Sequence, residues 1–437
     1  MKPVKAGLLG LGTVGGGVVN VLSRNGQEIA RRAGRDIEIS HASARDLNKP
    51  RICETKGIKL TSSIMEVVND PEIEIVVELI GGDTIAYEAV MKAIANGKHV
   101  VTANKALIAK YGNEIFIAAQ KKGVMVAFEA AVAGGIPVIK AIREGLSGNR
   151  IEWLAGIING TGNFILTEMR DKKRAFADVL AEAQRLGYAE ADPTFDIEGV
   201  DAAHKLTILA SIAFGIPLQF DKVFMEGITA ITQEDVTYAT ELGYRIKHLG
   251  VARRTDKGIE LRVHPTLIPH RRLIANVDGV MNAVLVKGDA VGPTLYYGAG
   301  AGAEPTASAV VADIIDVVRT LTTDPENRVP HLAFQPDALS DIPILSMDEV
   351  ETAYYLRLSV ADKPGVLAEI ATILGSKGIS IEAMIQKEPV SAGSNADLIM
   401  LTHTVIEKNM NAAISAIEAL SSISGSVVRI RMERLDS

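Results

Sequence analysis

Cysteine is almost absent from this chain. Cys53 is the only one in 437 residues, so no internal disulfide can form and the expected compartment is a reducing one, the cytoplasm. The eight histidines form no Cys/His cluster with zinc spacing. No eighteen residues in succession are apolar, which leaves no candidate membrane span. A clustered basic face is missing too: the 46 lysines and arginines are dispersed and outnumbered by 53 acidic residues, for a net charge of −7. Nucleic acid is therefore not an expected partner. What is present is globular composition, 47% hydrophobic and 23% charged, in a chain too long for one core, so two or three domains are expected.

The first residues imitate a secretory leader, with Lys2 and Lys5 ahead of the small apolar stretch Ala6 to Leu22, but six glycines in that stretch argue against it. It reads better as strand, turn and helix. Val4 to Leu9 is apolar, Gly10-Leu11-Gly12-Thr13-Val14-Gly15 follows as GxGxxG, and Val18, Val19 and Leu22 continue with helical spacing. Gly10 would permit the tight turn, Gly12 would let the backbone approach a pyrophosphate, and Gly15 would let the helix pack closely. The helix N-terminus supplies N–H donors for the phosphates. Further strands are expected at Ile37 to Ser40, Ile73 to Ile80, His99 to Thr102 and Val124 to Phe128, with helices such as Tyr87 to Ala95 and Ala106 to Lys121 between them. That alternation means a doubly wound parallel sheet of Rossmann type, expected over residues 1–132. At the end of its second strand, Arg45 favours NADP(H) over NAD(H), while Asp46 beside it keeps NADH open.

From 133 to 304 the pattern changes to an α+β domain that would carry catalysis and dimerisation. Within it Glu190, Asp192, Asp196, Glu198 and Asp201 place five carboxylates in twelve positions. Such a run repels itself unless a cation answers it, and it raises the pKa of a lysine held nearby. If the stretch Val200 to Phe214 is helical, Asp201 and Lys205 share a face, and the carboxylate can hold the amine in a fixed direction. The plain alternative is a surface ion pair worth roughly 0.3–0.5 kcal/mol. Gly298-Ala299-Gly300-Ala301-Gly302 leads into a helix, 305–322, expected to return to the first domain, and four prolines mark 323–350 as a linker. Residues 351–437 read as strand, helix, strand, strand, helix, strand, a ferredoxin-like βαββαβ module.

The motifs GLGTVGGGV at 10–18, TANKAL at 102–107, FEAAVAGGIPVI at 128–139, GIINGTGNFIL at 156–166, LGYAEADPTFDIEGVDAAHKL at 186–206 and GAGAGAEPTASAVVAD at 298–313 together resemble the homoserine dehydrogenase family. The expected form is the monofunctional bacterial type, without a fused aspartokinase. The resemblance implies interconversion of L-aspartate 4-semialdehyde and L-homoserine with NAD(P)H, on the route to threonine, methionine and isoleucine. It implies Lys205 as proton donor, Lys105 close to both nicotinamide and substrate, and Glu190 and Asp201 as acceptors for the substrate ammonium. It also implies that Gly187 and Gly302 meet the nicotinamide end of the cofactor, beside the phosphate turn formed by Gly10, Gly12, Thr13, Val14 and Gly15. A sodium ion would sit on Glu129 and the backbone carbonyls of Val132, Gly134 and Ile136, whose oxygens suit a hard cation. The last module resembles an ACT domain, with Ala361-Asp362-Lys363-Pro364-Gly365 as its first turn; this implies threonine as effector and pairing into a homodimer or homotetramer. Two other readings stay open: a different NADP-linked reductase of an amino-acid aldehyde or oxo acid, and a non-catalytic amino-acid sensor.

Overall fold

The computed structural model describes residues 2–386 and 395–436, and the chain forms two compact units. One comprises Met1–Gly160, Asp201–Val223 and Val280–Ile342; the other comprises Thr161–Val200, Phe224–Gly279 and Pro343–Ser437.

The first unit is built on a six-stranded sheet. Its strands are β1 (Val4–Leu9), β2 (Ile37–Ser43), β3 (Lys59–Thr61), β4 (Ile75–Glu78), β5 (His99–Thr102) and β6 (Val126–Ala127). They lie in the order β3-β2-β1-β4-β5-β6 and every pair is parallel. The helices are α1 (Thr13–Ala33), α2 (Ile64–Asn69), α3 (Thr84–Ala95) and α4 (Lys105–Lys122). β4 and β5 read IVVE and HVVT and are buried along their whole length, which is how a strand covered on both faces is written. The order reverses between β1 and β4, the crevice where such sheets bind ligands. The structure trims the expected third and fifth strands to four and two residues. It also adds β3, whose three residues are too short and polar to stand out by alternation.

Against α1 lies the helix Ala303–Thr320, and their shared apolar surface includes Val18, Leu22, Ala307, Val310 and Ile314. Gly17 allows this contact, since a Cβ there would lie 2.5 Å from the Ala303 carbonyl. The unit also holds an antiparallel sheet in which Ile151–Ile157 pairs with Met281–Gly288, and that strand with Gly292–Ala299. The helix Val200–Phe214 is buried at every position from Asp201 onward. From Pro325 to Ala338 the chain forms two short turns, each opened by a proline.

In the second unit, Tyr244–Arg254 and Ile259–Pro269 form a long antiparallel hairpin. In the sequence, Glu260 to Leu267 of the second reads as a strand, while the first does not stand out. Ile423–Met432 adds in parallel to Ile259–Pro269, and then come Glu351–Val360, Ala396–Thr402 and Ile381–Gln386. With the helices Val366–Ser376 and Glu407–Glu418 these four strands make the expected βαββαβ module. Its helices cover one face through Ile370, Leu374, Met410 and Ile417. The opposite face, with Tyr355, Ile399, Leu401 and Ile430, packs on Ile165, Met169, Val179 and Val236 from the same unit. The module therefore shares a core with residues far upstream of it. Among the described residues no helix is long and apolar enough to cross a membrane.

Candidate active site

Just after β1 the backbone turns at Gly10 with φ +97°, and a side chain there would meet the Leu79 carbonyl at 2.9 Å. Gly15 is required by the turn itself, because a Cβ would fall 2.2 Å from the Gly10 carbonyl. A Cβ on Gly12 would meet nothing within 4 Å, so this glycine leaves an open approach to the first backbone N–H groups of α1, with Thr13 and Val14 opening the helix. The Ser43 carbonyl, at the end of β2, accepts the N–H of both Gly10 and Leu11 at 3.1 Å. These residues fit a dinucleotide pyrophosphate, and no acidic side chain stands in the first turn of α1 to repel it.

Arg45 and Asp46 are both exposed beyond β2, and the Asp46 carboxylate accepts the Asn48 N–H at 2.9 Å. A second cation, Arg51, was not anticipated. Its guanidinium donates to the Leu11 carbonyl at 2.7 Å and to the Asp46 carbonyl, which puts positive charge on the phosphate turn. Nothing in the spacing of Arg51 from the glycines announces this, because the loop between β2 and β3 folds back over α1.

At the ends of β4 and β5 the segment Thr102-Ala103-Asn104-Lys105 is fixed by its own side chains. The Thr102 hydroxyl donates to buried Glu78 at 2.6 Å, and Glu78 also accepts the Ile80 N–H at 2.9 Å. Burial raises the Glu78 pKa against these hydrogen bonds. Asn104 accepts the Leu107 N–H at 3.0 Å and so caps α4. Lys105 is thereby the first residue of α4, a position that repels cations unless an anion is near. The anion is Asp201: Lys105 Nζ lies 3.2 Å from Asp201 Oδ1.

Asp201 also accepts from Lys205 Nζ at 2.7 Å and from the Asn159 amide at 2.9 Å, while Lys205 donates a second bond, 2.7 Å, to the Ile158 carbonyl. The i,i+4 spacing is thus used inside the protein, where the Asp201 side chain is only 7% exposed and that of Lys205 11%. Burial opposes ionisation of Asp201, but Lys205 and Lys105, with the hydrogen bonds from Lys205 and Asn159, hold the carboxylate below its usual range. The structure brings two amines to one buried carboxylate, at the edge of the sheet where ligands bind. Lys105 remains the more open of the two, with a third of its side chain exposed.

Glu129 is buried just after β6, and its two carboxylate oxygens accept the N–H groups of Ile139 and Lys140 at 2.8 Å. Its own N–H donates to Asp313 at 2.7 Å. Burial, and then the neighbouring Asp313 charge, push the Glu129 carboxyl up to about 7; burial pushes Asp313 up to about 6 despite Lys140, 3.5 Å away. Two buried acids facing one lysine, which also pairs with Asp316, leave negative charge to be answered. Val132, Gly134 and Ile136 line the turn that follows, where Ala133 and Gly134 both have positive φ. The Ile136 carbonyl already accepts the Val138 N–H at 2.8 Å. The small residues here are forced, since a Cβ on Gly134 would lie 2.5 Å from the Gly300 carbonyl.

Gly302 opens the helix Ala303–Thr320 at φ +128°. In the second unit, Gly187 ends the helix Phe176–Arg185 with φ +77°, and its N–H donates to the Gln184 carbonyl at 3.1 Å. Glu190 is exposed on the loop that follows, where its backbone carbonyl accepts the Gln184 amide at 3.1 Å.

Three family models match the chain: the NAD-binding domain of homoserine dehydrogenase over residues 10–129, homoserine dehydrogenase over 137–315, and the ACT domain over 354–422. A homoserine dehydrogenase of Pseudomonas aeruginosa is 70% identical over 436 residues, covering 100% of both chains. The crystal structure of a homoserine dehydrogenase from Thiobacillus denitrificans is similar at a TM-score of 0.95 and 69% identity, covering 100% of this chain and 99% of that one. A hyperthermophilic archaeal homoserine dehydrogenase in complex with NADPH matches 72% of this chain and 98% of its own length, with a TM-score of 0.62 and 26% identity.

Proposed function

The chain belongs to the homoserine dehydrogenase family, and we propose that in it Lys205 and Lys105 serve the NAD(P)H-dependent interconversion of L-aspartate 4-semialdehyde and L-homoserine. The observation that carries this is the convergence of both amines on Asp201. Bound NAD(P)H supplies the hydride. As the aldehyde oxygen gains negative charge, Lys205 gives it a proton, and Lys105 holds a fixed positive charge beside it. General-acid help of this kind is worth roughly 10²–10⁴ in rate, about 3–5 kcal/mol. In the reverse direction the Lys205 amine accepts the hydroxyl proton.

Asp201 and the Ile158 carbonyl fix the direction of Lys205, so the amine does not have to be ordered during reaction. Glu190 and Asp201 are read as the acceptors for the substrate ammonium, a cation that calls for charge-assisted acceptors. Gly187 and Gly302 are read as the backbone that meets the nicotinamide end, where a side chain would intrude. Arg45, assisted by Arg51, supports NADP(H) over NAD(H). Glu129, with the carbonyls of Val132, Gly134 and Ile136, is read as a sodium site, supported by the excess buried negative charge beside Asp313. The ACT module supports threonine as effector and a homodimer or homotetramer as the assembly; the single cysteine supports a reducing compartment, the cytoplasm.

The test is NADPH and NADH consumption with aspartate semialdehyde set against related aldehydes, with and without threonine. Preference for another aldehyde would overturn the substrate. An equal KM for both cofactors would overturn the role of Arg45.

A further inference from the structure

Arg431 has no exposed surface, although it lies in the C-terminal module on the strand Ile423–Met432. Its guanidinium holds both carboxylate oxygens of Glu407, the first residue of the helix Glu407–Glu418. With its remaining amino group it reaches out of the module to Glu226 at 2.7 Å, and it stacks over the Phe224 ring at 4.9 Å. Tyr354 and Arg429 complete the shell around Glu407. A buried guanidinium cannot lose one partner cheaply, so residues 224–226 are locked to the module.

From Glu226 the chain runs straight into a second set of contacts. The Ile228 N–H donates to the Ile197 carbonyl at 2.9 Å. A Cβ on Gly227 would lie 2.3 Å from a Glu198 carboxylate oxygen and 2.7 Å from the Ile197 carbonyl. The Thr229 hydroxyl donates to Glu198 at 3.3 Å. His248 shares a 2.9 Å hydrogen bond with the Glu226 carbonyl, while its ring lies 3.1 Å from where a Cβ on Gly199 would be. Residues 197–199 are therefore gripped from two sides, and the next residue, Val200, opens the helix that carries Asp201 and Lys205.

We propose that Arg431 and Glu226 are positioning residues for the reaction: through this ion pair between a buried guanidinium and a partly exposed carboxylate, the ACT module fixes the turn 197–199, and with it the entry of the catalytic helix. The inference rests on the reading of Lys205 and Asp201 as the reacting pair. The first turn of a helix takes its direction from the residues before it, and a misplacement of about 1 Å at reacting groups is enough to cost up to roughly a hundredfold in rate.

The test uses the full-length enzyme with Glu226→Gln, which keeps the shape of a partly exposed side chain and removes its charge. Expected are a fall in kcat of roughly tenfold, a KM for NADPH changed by no more than about twofold, and faster hydrogen exchange confined to the amides of 197–205. Unchanged kcat with unchanged exchange overturns the proposal. So does a uniform rise in exchange over all strands of the second unit, which would mark a purely structural ion pair. Should Glu226→Gln fail to fold, Gly227→Ala pushes on the same turn from within and should give the same local signature; no change at 197–205 would again overturn it. If Lys205→Ala keeps its turnover while Glu226→Gln loosens 197–205, the reading of the site has failed and the mechanical link has not.

Discussion

Asp201 and Glu129 are both buried carboxylates of the first unit, yet the first is held below the usual carboxylate range and the second is pushed up to about 7. Burial acts the same way on each and would raise both. The sign is decided by the neighbours. Asp201 faces two ammonium groups at 2.7 and 3.2 Å, whereas Glu129 faces the Asp313 carboxylate, and the nearby Lys140 is shared with Asp313 and Asp316. A carboxylate that stays charged can orient amines. One that is left without enough positive charge invites a cation or a proton.

Removing the amine from the first cluster should have the largest effect. Lys205→Ala is expected to lower turnover by roughly a hundredfold or more while NADPH binding, followed by fluorescence titration, stays nearly intact. Near-normal turnover would remove Lys205 from the mechanism.

Asp201→Asn tests the charge that sets this cluster apart. With the anion gone, two close ammonium groups destabilise each other, so the Lys205 pKa must fall and the alkaline limb of kcat against pH must move to lower pH. We expect kcat to drop by roughly tenfold or more at neutral pH. An unshifted profile would mean that Asp201 does not control the amine. The two clusters also differ in the direction of their linkage. Asp201, with a lowered pKa, contributes stability that is present above its ordinary value of 3.8 and is lost as pH falls below it. Glu129, raised from 4.5 to about 7, contributes stability that is present below 4.5 and is lost as pH rises toward 7.

The second cluster makes its own prediction. A bound cation should replace the missing proton, so exchanging sodium for choline should lower Tm at pH 8 and much less at pH 5.5, where Glu129 is protonated. A site filled at about one hundred times its Kd would add about 2.7 kcal/mol. Equal Tm in both salts at pH 8 would leave the cluster without an ion. The smallest effect is expected from Asn104→Ala, which removes the α4 cap beneath Lys105 at a cost of about 1 kcal/mol in denaturant unfolding, with a modest rise in the KM for the semialdehyde. No change in either would show that Lys105 is held by Asp201 alone.

Some of this was legible in the residues. The phosphate turn could be read because glycine at 10 and 15 is required by backbone geometry, whatever the rest of the fold does. The pairing of Asp201 with Lys205 followed from helical periodicity. The meeting of Lys105 with the same carboxylate did not, since it depends on a sheet edge and a helix that are remote in the chain. Arg51 was hidden for the same reason, and so was the strand Tyr244–Arg254, whose mixed composition gives no clean alternation. The ACT module was expected as an appended domain behind a proline-marked linker. Its strand pattern was right, but the packing of Tyr355, Leu401 and Ile430 on upstream helices means that cutting the chain before residue 354 would expose a core, so a threonine effect is better tested by point substitution.

By itself the sequence determined the things that short-range physics governs: where backbone must turn without a side chain, which faces of helices and strands are apolar, and which two charges share a helical face. Only the tertiary structure decided which charges meet. Coulomb interactions act over a few ångströms of space, and the distance between Lys105 and Asp201, or between Arg431 and Glu226, is set by the closing of sheets and cores rather than by position along the chain.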